Sequence, residues 1–227
     1  MEQQSMLDQL RTLDDHVLAD VVRQDQHCPD FVMNSWQVDR LSDKGMANPD
    51  GLFRFSGTGR DPTNRETECD WTVVLKNIKA PPEEGDITNI WYWKRELLAF
   101  QSGLLEDLPA GGVKAPRFYG TIEQNDGAWI WVEYVQENDP PRWPPQRFPA
   151  AARSLGRLNG AYLCGRPLPD HPWLSRDQGI SCTKDADLDG IWDHPAVQQV
   201  LSTKNHHRLQ RLWADRERFF DPYHALP

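Results

Sequence analysis

Trp71-Thr72-Val73-Val74-Leu75-Lys76 is the stretch on which the reading of this 227-residue chain turns. It is an apolar, β-branched run, and such a run reads as a buried strand. It ends on a lysine, Lys76. A lysine at the end of a packed strand has its stem held by neighbours, so its ammonium is aimed at one place. Further on, Trp91-Tyr92-Trp93-Lys94-Arg95-Glu96-Leu97-Leu98-Ala99-Phe100 reads as a helix with a single carboxylate, Glu96, beside its apolar residues. Taken alone, the two pieces fit a solvated terminal lysine and an ordinary helical glutamate. The order of the surrounding elements changes that balance.

Composition bounds the rest. The formal net charge is −9, with 38% hydrophobic and 26% charged residues, ordinary for a folded and slightly polar chain. No basic stripe suggests nucleic acid, and no apolar run is long enough to cross a bilayer. The opening Met1-Glu2-Gln3-Gln4-Ser5 lacks the basic and apolar regions of a signal peptide, so a cytoplasmic location is expected. Cys28, Cys69, Cys164 and Cys182 form no CxxC pair and read as free thiols.

Upstream of Trp71, residues 5–25 read as one amphipathic helix. Leu10, Leu13, Val17, Leu18, Val21 and Val22 lie on one face, and Ser5 with Asp8 resembles a capping box. Residues 35–41 and 52–59 alternate as strands. The turn-rich segment between them carries Gly45 and Gly51, where backbone amides can approach a ligand closely. Gly57-Thr58-Gly59 is a G-x-G fragment at the end of the second strand. Downstream, the helix with Glu96 is expected over residues 87–105. Strands are expected over 117–123 and 128–135, joined by the hairpin signal Asn125-Asp126-Gly127. Residues 136–146, with Pro140-Pro141 and Pro144-Pro145, read as a linker. Helices are expected over 147–163, with Phe148, Ala151, Leu155, Leu158 and Tyr162 on one face, and over 187–202 and 205–220. The fold class is therefore α+β: a five-stranded antiparallel sheet with one inserted helix over residues 1–135, a hinge over 136–146, and a helical segment over 147–227.

This order resembles the aminoglycoside phosphotransferase family of small-molecule kinases, which share the protein-kinase-like fold. The residues that carry the resemblance are the strand at 53–59, Val73-Val74-Leu75-Lys76, Glu96, and Ala115-Pro116-Arg117-Phe118-Tyr119-Gly120. Trp129-Ile130-Trp131-Val132-Glu133-Tyr134-Val135 is similar to the strand entering the family's hinge. The helix beginning Phe148-Pro149-Ala150-Ala151 is similar to the one that opens its C-terminal lobe. The resemblance covers residues 36–163. It implies transfer of the ATP γ-phosphate to a hydroxyl of a small molecule that the sequence does not identify. Lys76 would hold the α- and β-phosphates and Glu96 would orient Lys76. Backbone groups of Glu133 and Val135 would hold the adenine edge, and the turn with Gly45 would cover the phosphates. Mg2+ accompanies ATP in the family.

The family's His-Gly-Asp-x-x-x-x-Asn loop and its later metal-binding aspartate do not occur in these 227 residues. His171 and His194 are each followed by proline. Asp43 and Asn48 have the right separation, and Asp70-Trp71 resembles the metal-binding pair, but all of these precede Lys76. The resemblance then implies that this chain alone does not catalyse, and that residues 147–227 are the opening part of a larger helical lobe. On that expectation the last helix, with Leu209, Leu212, Trp213, Phe219 and Phe220, lacks cover and is loosely held or self-associates. The alternative is a non-catalytic nucleotide-binding or interaction protein with a kinase-like first lobe. A third reading is an unrelated α+β domain in which Lys76 and Glu96 are surface residues.

Overall fold

The computed structural model describes residues 2–42, 49–63, 68–83, 85–136, 144–174 and 194–201, with 207–208, 211, 214–215 and 218. The chain divides into two compact units, Met1–Leu174 and Ser175–Pro227. In the first unit, helices α1 (Glu2–Arg11) and α2 (Asp15–Asp25) precede strands β1 (Val32–Ser42), β2 (Pro49–Arg60) and β3 (Glu68–Lys79). Helix α3 (Arg95–Gln101), strands β4 (Phe118–Gln124) and β5 (Gly127–Glu133), a short 3-10 turn (Pro145–Arg147) and helix α4 (Phe148–Leu163) follow. The second unit contains α5 (Pro195–Leu201).

The protein is α+β. Its five strands form one antiparallel sheet in the order β1-β2-β3-β5-β4, so β5 lies between β3 and β4. Side chains alternate across a strand, and the register sorts them into two faces. Phe53 pairs with Leu75, Phe55 with Val73, and Leu75 with Trp131. These residues share one face, where Leu10, Leu18 and Val22 of the paired helices close over them in the larger core. The opposite face carries Val74, Lys76, Ile78 and Ile130. Leu97 and Phe100 of α3 pack there on Ile78, Ala128 and Ile130.

Two glycines are set by close approach. A Cβ on Gly127 would lie 2.1 Å from the Ile78 carbonyl oxygen, and one on Gly57 would lie 2.0 Å from that of Ser35. The G-x-G fragment is thus a packing feature of β2, where the chain passes hard against β1, rather than a phosphate loop.

Several expectations change in detail. The first helix is two helices. Asp14 caps α2 by accepting from the His16 amide at 2.9 Å, and the Thr12 hydroxyl donates to the Gln9 carbonyl at 2.9 Å. Short polar side chains that bond their own backbone end one helix and begin the next. Ser5 lies inside α1 and is not its cap. The helix expected over 87–105 is only Arg95–Gln101. Before it, Asp86 accepts from the Thr88 amide and hydroxyl at 2.8 and 2.9 Å, and the Asn89 side chain accepts from the Trp91 amide at 2.8 Å. These turns outcompete the helix that the apolar spacing suggests. Gly103, with φ +73°, stops α3 well before Pro109. In α4 the expected apolar face is only partly covered: Ala151, Leu158 and Tyr162 are half-buried, but Phe148 and Leu155 are 59% and 54% exposed. The residues expected to form the face of the last helix lie outside the described residues, as does most of that helix.

Candidate functional site

Lys76 stands near the end of β3 on the face that carries α3. Its strand neighbours across the sheet are Leu52 on β2 and Ile130 on β5. Val74, Ile130 and Leu52 flank the four-carbon stem and leave the ammonium at its tip for a polar partner. The structure brings Lys76 and Glu96 together: the Lys76 ammonium donates to Glu96 Oε2. Strand direction sets the lysine, and packing of α3 sets the glutamate.

That packing is well supported. Leu97 and Phe100, on the side of α3 turned to the sheet, are buried. Phe100 stacks on Phe118 at a centroid distance of 5.2 Å. At the start of the helix the Lys94 ammonium pairs with Glu123 of β4 at 3.0 Å. The Arg95 guanidinium donates to the carbonyls of Asn89 at 3.0 Å and Thr88 at 3.3 Å, which fastens the turns ahead of α3 to its first residue. Glu96 therefore sits on a helix anchored at both ends. Lys has three N–H donors. Glu96 takes one, and two remain for an anion lying on the sheet.

The neighbouring row on this face runs Asp39, Arg54, Val74, Val132 across β1, β2, β3 and β5. Arg54 donates to Asp39 at 2.9 Å. Asp39 first, and then Tyr134, push the Arg54 pKa still higher, so it is a permanent cation. The sequence reading singled out neither Arg54 nor Asp39. The alternation of Leu52-Phe53-Arg54-Phe55 carries the signal, because Arg54 is in phase with Lys76 once the β2–β3 register is known.

The residues expected to hold a base fare differently. The Glu133 amide donates to the Arg117 carbonyl at 2.9 Å, and its carboxylate accepts from the Arg117 amide at 3.0 Å and pairs with Arg117 Nε at 3.3 Å. Glu133 is thus tied to the β4 side, and its amide is already used. Val135 is 64% exposed just beyond the strand. Gly45 lies outside the described residues. For Mg2+, which takes oxygen ligands in an octahedral set, the residues present do not fit. Glu96 and Asp39 are each engaged by a cation, and among the described residues no three His, Cys, Asp or Glu side chains come together.

A second polar cluster joins α2 to the far edge of the sheet. The Tyr119 hydroxyl donates to Asp25 at 2.6 Å, Arg117 pairs with Asp25 at 3.4 Å, and Arg117 Nη1 lies 2.8 Å from His27 Nε2. A guanidinium only donates, so His27 Nε2 accepts and its proton is on Nδ1. Burial first, then the Asp25 carboxylate, push the Tyr119 hydroxyl well above the usual tyrosine range. Beside this cluster is a cavity of about 1120 Å3 between the end of α2, the end of α3 and residues 105–119. Neither Lys76 nor Glu96 lines it. Cys28 does, and its thiol is pushed up, chiefly by burial, so it stays protonated at neutral pH and is a poor nucleophile. We place the candidate site at Lys76 and Glu96, where charge is oriented on a rigid strand, and not in this cavity, where Arg117 and Arg23 tie α2 to itself and to β4.

Cys28, Cys69 and Cys164 are free thiols, and no described helix is long and apolar enough to cross a membrane. No family model, no curated protein and no solved structure matches this chain.

Proposed function

We propose that this chain carries the nucleotide-binding lobe of an ATP-dependent small-molecule phosphotransferase of the protein-kinase-like kind. The observation that carries the reading is the ion pair of Lys76, on the third strand of a five-stranded antiparallel sheet, with Glu96, on the helix that comes next in the chain. In such a lobe the glutamate fixes the lysine, and the lysine meets the α- and β-phosphates of ATP. The two remaining Lys76 donors serve phosphate oxygens, so the phosphate is positioned without any covalent step by the protein.

Phosphoryl transfer also needs a group that accepts or orients the hydroxyl proton. The sequence offers no His-x-Asp-x-x-x-x-Asn pattern for it, and the carboxylates beside Lys76 are engaged. This favours binding without turnover by these 227 residues, and it keeps the non-catalytic nucleotide-binding reading in play. The acceptor is a small molecule bearing a hydroxyl.

Equilibrium titration of the purified chain with ATP tests the proposal. ATP should bind, and Lys76→Ala should weaken it about 10- to 100-fold, the range for lost charge-assisted hydrogen bonds. Equal affinity in the wild type and Lys76→Ala sinks the reading.

A further inference from the structure

Lys76 is not the sole cation on its face of the sheet, and Arg54 has a geometry of its own. Arg54 lies on β2, directly across from Val74, which is two residues before Lys76 on β3. Strand rise and spacing put the Arg54 and Lys76 Cα positions about 8 Å apart on this face. Between and beside them the floor is apolar, with Val74 buried and Val132 partly buried.

The Arg54 guanidinium is held against the sheet by its neighbours. Its Nη2 donates to Asp39, and the Tyr134 side chain also engages the guanidinium. Its Nε is buried and has no hydrogen-bond partner. The group is therefore packed down onto the sheet, while the side chain keeps 35% of its surface exposed. A planar cation fixed in this way, beside an apolar floor, is a stacking surface for an aromatic ring. Neither expected hinge residue offers an equivalent surface, since the Glu133 amide is engaged in the sheet and Val135 points away from packing at 64% exposed.

We propose that Arg54 is a nucleobase-contacting residue: the base of a nucleoside triphosphate stacks on its guanidinium plane while Lys76 holds the phosphates. Asp39 is then a positioning residue that keeps the plane in place. The inference rests on the nucleotide-binding reading of Lys76 and adds to it the residue that recognises the base.

The test compares ATP with inorganic tripolyphosphate, which has the phosphates and no base, on the full chain. Wild type should prefer ATP. Arg54→Ala should lose about tenfold in ATP affinity, the scale of one lost base stack, and keep its tripolyphosphate affinity. Arg54→Lys, which retains the charge opposite Asp39 but not the plane, should lose a similar factor. Lys76→Ala should weaken both ligands. In wild-type protein, ATP should shift the Arg54 side-chain proton resonances by its ring current, and tripolyphosphate should not, a readout that needs no variant to fold. If Lys76→Ala weakens both ligands but the Arg54 variants keep the full preference for ATP and no ring-current shift appears, the stacking inference is wrong and the phosphate reading stands. If wild type binds neither ligand, both fall together.

Discussion

The two faces of the sheet are built to different rules. The face under α1 and α2 is closed with large apolar side chains, and Phe53, Phe55 and Trp131 are at or near zero exposure. The face under α3 is closed over only part of its width. Beside that part stand Lys76 and Arg54, each matched with one carboxylate. A sheet needs one apolar face to fold. Freed from that duty, the second face can hold charges at fixed positions, which water would otherwise hydrate and blur. The contrast separates what holds the molecule together from what it presents to a ligand.

The contrast is broken most directly at Trp131. Trp131→Ala should remove about 3–5 kcal/mol, as for other large core truncations, read as a lowered denaturant midpoint. A cost below about 1 kcal/mol would mean the helix-covered face is not the stability face. Leu97→Ala, under α3, comes next. It should cost about 2–5 kcal/mol and, unlike Trp131→Ala, should raise hydrogen exchange in residues 95–101 more than in β3, because it loosens the helix that carries Glu96. Third is Tyr119→Phe, which removes one hydrogen bond to Asp25 and should cost about 1 kcal/mol at neutral pH. The Tyr119 pKa is raised in the folded state, first by burial and then by Asp25. Its stabilising contribution is thus complete below the unfolded tyrosine value of about 10 and is lost as pH rises beyond it. Stability measured from pH 8 to 11 should fall less steeply in Tyr119→Phe than in wild type, and parallel curves would contradict the assignment. The smallest effect is expected at Lys76. With Lys76 and Glu96 side chains 21% and 42% exposed, solvent screens the pair, and Lys76→Ala should change stability by no more than about 1 kcal/mol. A loss of several kcal/mol there would make the pair a structural strut.

The apolar, β-branched run of residues 71–76 and the alternation of residues 35–41 and 52–59 made the strands readable, and Asn125-Asp126-Gly127 did place a two-residue turn, with Gln124 opposite Gly127. Helices were less readable where side chains bond to their own backbone. Thr12, Asp14, Asp86, Thr88 and Asn89 all reshape segments whose apolar spacing alone suggests continuous helix. Lys76 and Glu96 were visible because each ends or opens an element in a recognisable order. Arg54 and Asp39 were not, because their shared face depends on the β1–β2 and β2–β3 registers, a property of pairing across the sheet. The joining of Asp25 to Tyr119, ninety-four positions apart, is hidden for the same reason.

The place of β5 between β3 and β4 has a consequence for how the chain is made. Ribosomes deliver the sequence from its first residue onward. When β3 emerges, its outer edge has no partner, because Leu75 must wait for Trp131 and Val74 for Val132. Until then Val73, Val74 and Leu75 offer an open row of backbone donors and acceptors flanked by apolar side chains, the kind of edge that recruits other chains. The β4–β5 hairpin closes locally across its two-residue turn and can arrive as one piece, capping that edge in a single docking step. Substitutions that weaken the hairpin should therefore show first as insoluble protein during synthesis, before any loss is measured in the folded molecule.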